Sequence, residues 1–338
     1  MVDESVYWSP HDILSRNAVY NFVCGARGVG KTFAAKRIVI NNFLKNRKQF
    51  IYVRRYRSEV ASAAKNFFND IAEYYPQARF RYNSGVFECA TDAKAEHWET
   101  MGYPVSLSKS QQLKSVAYPD VTWIIFDEFI IGKGHIRYLP NETNVFNDFY
   151  LTVDRYMDKT RVLFISNSVS IMCPYITAYD LQPNGQRFMR RHNGFIACEY
   201  VDSTRFTEVV NKSKFGRFIE KTDYSRYAVK NEFLDNGDTL LGRKPEHAYY
   251  VFTVVAPTGK YSVWRGHEGD TARMWVQKKR PGNEAYITFT PALVSDDVPL
   301  IPSGSDLLSI FRTAFSRGDM RFSTATVRND FVKELGYS

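Results

Sequence analysis

Gly25-Ala26-Arg27-Gly28-Val29-Gly30-Lys31-Thr32 fills every fixed position of the pattern G-x-x-x-x-G-K-[S/T]. The pattern has meaning only between a strand and a helix, and both flanks qualify. Tyr20-Asn21-Phe22-Val23-Cys24 is short and apolar, fit for a buried strand, and Phe33 to Ile40 predicts a helix. Glycines let backbone N–H groups close around phosphate oxygens without interference from a Cβ, and the helix start adds the positive end of its dipole. Gly25, Ala26, Arg27, Gly28, Val29 and Gly30 are therefore expected to cradle phosphate. Lys31 is expected to reach the β- and γ-phosphates of ATP, and the Thr32 hydroxyl to hold Mg²⁺.

Downstream, Val121-Thr122-Trp123-Ile124-Ile125-Phe126 is an apolar run ending in Asp127-Glu128. A carboxylate at the end of a strand beside the phosphate-loop strand helps hold Mg²⁺, the role expected of Asp127. Glu128, one residue on, is placed to orient or deprotonate a water. A strand ending in acids is weak evidence alone and strong evidence after an intact phosphate loop. Arg161-Val162-Leu163-Phe164-Ile165 predicts another buried strand, finishing in Ser166-Asn167. Asn167 is a candidate γ-phosphate sensor, with a plain strand-terminating turn as the competing reading.

The remaining elements follow from pattern. A short helix is expected around Pro10 to Arg16, a strand at Gln49 to Val53, a helix over 58–75 stopped by Pro76, and small strands or a hairpin in 79–107. The strand at 49–53 runs into Arg54-Arg55-Tyr56-Arg57, either a loop facing an anion or a solvated charged turn. Ile130 to His135 is a glycine-flanked loop whose lysine could reach a ligand or simply face solvent. Residues 142–156 predict a helix ending near Arg155. Beyond residue 205 the texture turns polar, and from Tyr249 it becomes β. Tyr249 to Val255 and Tyr261 to Arg265 flank one turn. Met274 to Gln277 and Ala285 to Phe289 flank a second at Pro281-Gly282-Asn283. Residues 305–317 predict a helix with Leu307, Leu308, Phe311 and Phe315 on one face.

At 338 residues two domains are expected: an ATPase domain over 1–206, a helical linker over 207–245, and an α+β domain over 246–338. The formal net charge of +9 makes a polyanion a fair partner. Four cysteines stand apart without metal-ligand spacing, which reads as buried thiols in a reducing compartment. No apolar run is long enough for a bilayer, and the start Met1-Val2-Asp3-Glu4-Ser5 lacks the layout of a signal peptide, so the expectation is a cytoplasmic protein with no membrane partner.

Taken together, Gly25–Thr32, Ile51-Tyr52-Val53-Arg54-Arg55-Tyr56, Phe126-Asp127-Glu128-Phe129, Ser166-Asn167 and Phe215-Gly216-Arg217-Phe218-Ile219 resemble the DNA-packaging ATPases of small tailed phages such as phi29. The resemblance runs over most of residues 5–235 and is looser beyond. It implies an α/β fold of the additional-strand (ASCE) P-loop class, a mostly parallel sheet flanked by helices. It also implies a homomeric ring, commonly a pentamer, that docks on a viral portal or procapsid in the host cytoplasm and threads double-stranded DNA. By the same resemblance Arg155 is the arginine finger, acting on the neighbouring subunit's ATP. Lys114 falls at a basic interface position, and Arg57 and Lys133 fall on loops facing the pore. The C-terminal domain resembles an RNase H-like nuclease, often vestigial, that engages portal or structural RNA. Here Tyr249 to Val255 carries no acid, and Glu268, Asp270, Asp296 and Asp297 lack a convincing pairing, so no nuclease activity is expected. Two other readings stand beside this one: a helicase or ring translocase of the FtsK/HerA kind, and a structural protein that nucleotide merely locks.

Overall fold

The computed structural model describes residues 6–92, 94–113, 115–131, 137–167, 173–183, 186–219, 240–278 and 285–336. In chain order the elements are α1 (His11–Leu14), β1 (Tyr20–Gly25), α2 (Lys31–Asn46), β2 (Gln49–Arg54), α3 (Arg57–Lys65), β3 (Arg79–Asn83), β4 (Val86–Ala90), β5 (Glu99–Ser106), β6 (Val121–Asp127), α4 (Glu142–Asp154), β7 (Arg161–Asn167), α5 (Pro174–Ala178), β8 (Phe188–Arg191), β9 (Ile196–Tyr200), α6 (Thr204–Lys212) and α7 (Lys214–Ile219). They continue with β10 (Tyr249–Ala256), β11 (Gly259–Glu268), β12 (Thr271–Lys278), β13 (Tyr286–Thr288), α8 (Asp306–Ser316), β14 (Met320–Phe322) and α9 (Ala325–Glu334). Contacts divide the chain into one unit of Met1–Val169 with Asp180–Leu234 and another of Ser170–Tyr179 with Asp235–Ser338.

The first unit is built on a nine-stranded sheet in the order β3-β4-β5-β2-β6-β7-β1-β9-β8. Its six central strands, β5 through β9, pair parallel, and antiparallel strands close both edges. Strands buried on both faces read as continuous apolar runs, and every residue of β1 is buried. Alternation along the strands then feeds two cores. Val23, Ile125, Leu163 and Ile165 face α2, whose Ala35, Val39, Ile40 and Phe43 share their cluster. Tyr20, Phe22, Phe126 and Phe164 point to the other face, where α4 supplies Phe146: that ring lies 4.7 Å from Phe164 and 5.5 Å from Phe126. Phe22 stacks on Phe164 at 4.0 Å and 7°.

This order makes one correction. The acid-tipped β6 is not beside the phosphate-loop strand; β7 lies between β1 and β6. That intervening strand brings Asn167 level with Gly25. The helix expected over 58–75 is also shorter. It ends at Lys65, and a single 3₁₀ turn follows at Ala72–Tyr74. Phe67 and Phe68 are both buried, Phe67 against Phe87 and Phe68 against Phe80. The backbone leaves helical geometry at Asn66, whose φ is −103° and ψ 6°.

The second unit holds a five-stranded sheet in the order β13-β10-β11-β12-β14. β10, β11 and β12 form an antiparallel meander, while β13 joins β10 and β14 joins β12 in parallel. The strands expected to flank a second turn do not pair with each other: β12 and β13 lie at opposite sides of the sheet, and Pro281-Gly282-Asn283 falls outside the described residues. Leu308, Phe311 and Phe315 of α8 join Phe331 of α9 in this unit's core, with Leu307 packed at its margin. Among the described residues no helix is long and apolar enough to cross a membrane.

Candidate nucleotide site

Four adjacent parallel strands, β2, β6, β7 and β1, deliver their C-terminal ends to one edge of the sheet. β1 ends in the glycine loop. Gly28 and Gly30 hold φ of 84° and 90°, the left-handed region where a side chain is strained. Gly25 has no spare room, because a Cβ there would lie 2.9 Å from the Val201 side chain. Ala26 and Val29 are buried and anchor the loop, whereas Arg27 is exposed. α2 begins at Lys31, so Lys31 and Thr32 form its first turn and its free N–H groups open on the loop.

Lys31 is buried, and its Nζ donates to Gly25 O (3.0 Å), Ala26 O (2.7 Å) and Asn167 Oδ1 (3.3 Å). Burial pulls its pKa down to about 8, partly opposed by Cys24 and Asp127. An ammonium held only by carbonyl and amide oxygens beneath a glycine cradle fits a phosphate group, which would restore its full charge.

The acids at the tip of β6 are held on their other side. Tyr52 Oη donates to Asp127 Oδ2 at 2.8 Å. Its own pKa is raised by burial and then by Asp127, so it remains a donor. Arg54 Nη1 lies 2.5 Å from Glu128 Oε2, and Nη2 lies 3.5 Å from Asp127 Oδ2. Burial acts against the Arg54 charge, but Asp127, Tyr52 and Glu128 outweigh it and raise its pKa. Glu128 itself holds φ of 60° while its N–H donates to Ile165 O at 2.8 Å. Left-handed backbone at a non-glycine residue persists when its surroundings fix it, and such positions collect at functional sites. The Thr32 hydroxyl and the Asp127 carboxylate at the tip of β6 offer hard oxygen donors of the kind Mg²⁺ takes.

The basic cluster after β2 thus resolves into separate parts. Arg54 grips the carboxylates. Arg55 is buried against Glu142 (Nε to Oε2, 2.7 Å) and donates to the carbonyls of Glu128 and Phe129. Arg57 is the exposed first residue of α3. Arg155 does not join the site within one chain. It caps the C-terminal end of α4, which runs back along the sheet for 13 residues, about 20 Å. Lys114 and Lys133 lie outside the described residues.

The sequence reading did not assign Tyr52 and Arg54 as partners of the acids. Their only signal was a tyrosine and an arginine two apart at a strand end. It also missed β8 and β9 and the aromatic pair beside the loop. Tyr7 approaches Gly30, Phe206 approaches Gly28, and their ring centroids are 6.3 Å apart. Trp8 fixes this lead-in, with its N–H on Val29 O and its indole on buried Glu199.

Comparison with known proteins agrees with the geometry. The model of the podovirus DNA encapsidation protein (Gp16) family matches residues 2–335. The DNA packaging protein of Bacillus phage phi29 is 32% identical over 332 residues, covering 97% of this chain and 96% of that protein. Among solved structures, a chain of the bacteriophage phi29 viral genome packaging motor assembly is similar with a TM-score of 0.67 at 30% identity, over 98% of this chain and 99% of that one. The N-terminal domain of the phi29 DNA packaging ATPase matches with a TM-score of 0.52 at 37% identity, over 59% of this chain and 97% of that domain. The phosphate loop, the acid-tipped strand and the match along nearly the whole chain lead to one conclusion: this chain belongs to the podovirus DNA encapsidation protein (Gp16) family.

Proposed function

We propose that the chain is the ATPase of a viral DNA-packaging motor, hydrolysing ATP to move double-stranded DNA into a procapsid. The observation that carries this is the convergence of Lys31, Asn167, Asp127, Glu128 and Arg54 on adjacent strand ends of a chain matched along nearly its full length to packaging proteins. Lys31 and the loop N–H groups bind phosphate oxygens. Thr32 and Asp127 would hold Mg²⁺, which when bound offsets phosphate charge during transfer. Glu128 accepts the proton of the attacking water once Arg54 lets go of it. Asn167, bonded to Lys31, reports on the γ-phosphate position.

Arg155 completes the site of a neighbouring copy, which its distance from its own phosphate loop supports. Stabilising charge that develops in the transition state is the work of such an arginine. The assembly is a ring, read as a pentamer. Lys114 lies at the subunit interface, and Arg57 and Lys133 meet backbone phosphates in the pore, contacts that carry no sequence preference. The ring docks on the portal in the host cytoplasm, with a structural RNA as a further partner. Residues 207–245 link the ATPase domain to an RNase H-like C-terminal domain. Its meander and parallel fourth strand support that reading. Glu268, bound to Arg273 and Arg321, supports the absence of nuclease activity.

The test is ATPase rate with and without duplex DNA over a range of protein concentrations. Turnover per subunit should rise with both. Lys31→Ala should weaken nucleotide binding, and Glu128→Gln should keep binding and lose turnover. A rate indifferent to DNA and to concentration overturns the motor reading.

A further inference from the structure

The turn that follows α4 is built as firmly as the nucleotide site, yet it faces solvent. Arg155, Tyr156 and Asp158 hold φ of 54°, 58° and 51°, all left-handed without a glycine. The buried carboxylate of Asp154 fixes this path. It accepts from the backbone N–H of Asp158 (3.0 Å), Lys159 (3.0 Å) and Thr160 (2.8 Å). Lys159 adds a bond of 2.7 Å from its Nζ to Pro119 O. So held, the turn presents Tyr156 at 84% and Met157 at 68% exposure, beside exposed Val116 and Leu151. Among the described residues, the Arg155 guanidinium at its base meets only carbonyl oxygens, those of Thr152 and Val116.

We propose that residues 155–160 form a preorganised docking turn for a second copy of this chain. Tyr156 and Met157 bury against the neighbour, and Asp154 is the positioning residue that aims Arg155 at the neighbour's phosphates. The proposal rests on the reading that Arg155 acts in trans. The occupant follows from charge and placement. An arginine with no carboxylate partner among the described residues suits an anion, and the anion site of this fold lies at the opposite edge of the sheet. A contact between two different surfaces of identical chains is heterologous, the kind that closes into a ring. An exposed tyrosine and methionine beside the arginine are the residue types enriched where such surfaces meet. A turn already in its bound shape loses little freedom on docking.

Mixing experiments decide it. Asp154→Asn alone should turn over at least tenfold more slowly, with nucleotide affinity within twofold of wild type by fluorescent-ATP titration. Mixed with Glu128→Gln, which offers a sound turn and a dead site, it should regain turnover; mixed with Arg155→Ala it should not. Damage to the variant's own nucleotide site would reverse the pattern, with rescue by Arg155→Ala and none by Glu128→Gln, so a merely structural role reads differently. Wild-type turnover by Asp154→Asn, or no rescue by Glu128→Gln, overturns the inference. Wild-type turnover by Arg155→Ala overturns the trans reading beneath it. The double variant Tyr156→Ser/Met157→Ser should weaken self-association at least tenfold in sedimentation with nucleotide affinity retained; unchanged association overturns the docking role.

Discussion

Lys31 shows how burial turns a common side chain into a pH-dependent one. Its pKa stands at about 8 because the ammonium is shielded from water and its neighbours only partly compensate. A bound polyphosphate favours the charged form, so binding takes up a proton whenever Lys31 starts neutral. Affinity should therefore be flat below about pH 7 and fall as pH rises through 8, by up to tenfold per pH unit. Fluorescent-ATP titrations from pH 6.5 to 9.5 measure this, and Lys31→Arg should flatten the profile. The same scale accounts for Glu128. With Arg54 against its carboxylate, it is a paired ion, so the proposed role as base needs that pair to part.

At the scale of elements, β2 and α4 are joined by one buried ion pair. Arg55 ties Glu142, at the start of α4, to the carbonyls of Glu128 and Phe129 just past β6. Glu142 also accepts from the Leu139 N–H, so the loop entering α4 is held as well. Removing one partner leaves the other charge buried and unpaired, which costs about 3–5 kcal/mol. Glu142→Leu should lower stability by that amount in denaturant unfolding. Arg55→Met/Glu142→Leu together should recover a large part of it, because no lone charge remains. An additive double variant would show that the two do not act as a pair. Mechanically, the pair links the acid tip of β6 to the helix whose far end bears Arg155.

For the whole molecule, the +9 charge and the arginines of the second unit bear on what the C-terminal sheet can do. Glu268 is bound by Arg273 and Arg321, and Asp319 by Arg273. Asp330 and Glu334 of α9 instead accept from Tyr261 and Thr290. Acids paired in this way are poor starting material for the several converging carboxylates that two-metal cleavage requires. Duplex DNA incubated with the protein and Mg²⁺ or Mn²⁺ should remain intact on a gel. Cleavage abolished by substituting these acids would contradict that expectation.

By itself the sequence determined what is local and periodic. The phosphate loop, the acid-tipped strand, the strand ending in Asn167 and the helix ending at Arg155 each announce themselves within a dozen residues, since short-range sterics and apolar spacing write them. It also carried the family, because several motifs in fixed order say more than any one. Only tertiary structure decided which strand lies beside which, and through that β7 came between β1 and β6 and β13 went to the far edge of its sheet. It likewise decided that Arg54 and Arg55, adjacent in sequence, serve different carboxylates, one in the site and one in the core. The reason is physical. Alternation sends neighbouring side chains of an extended segment to opposite sides, and what waits on each side is set by residues about 70 to 90 positions away.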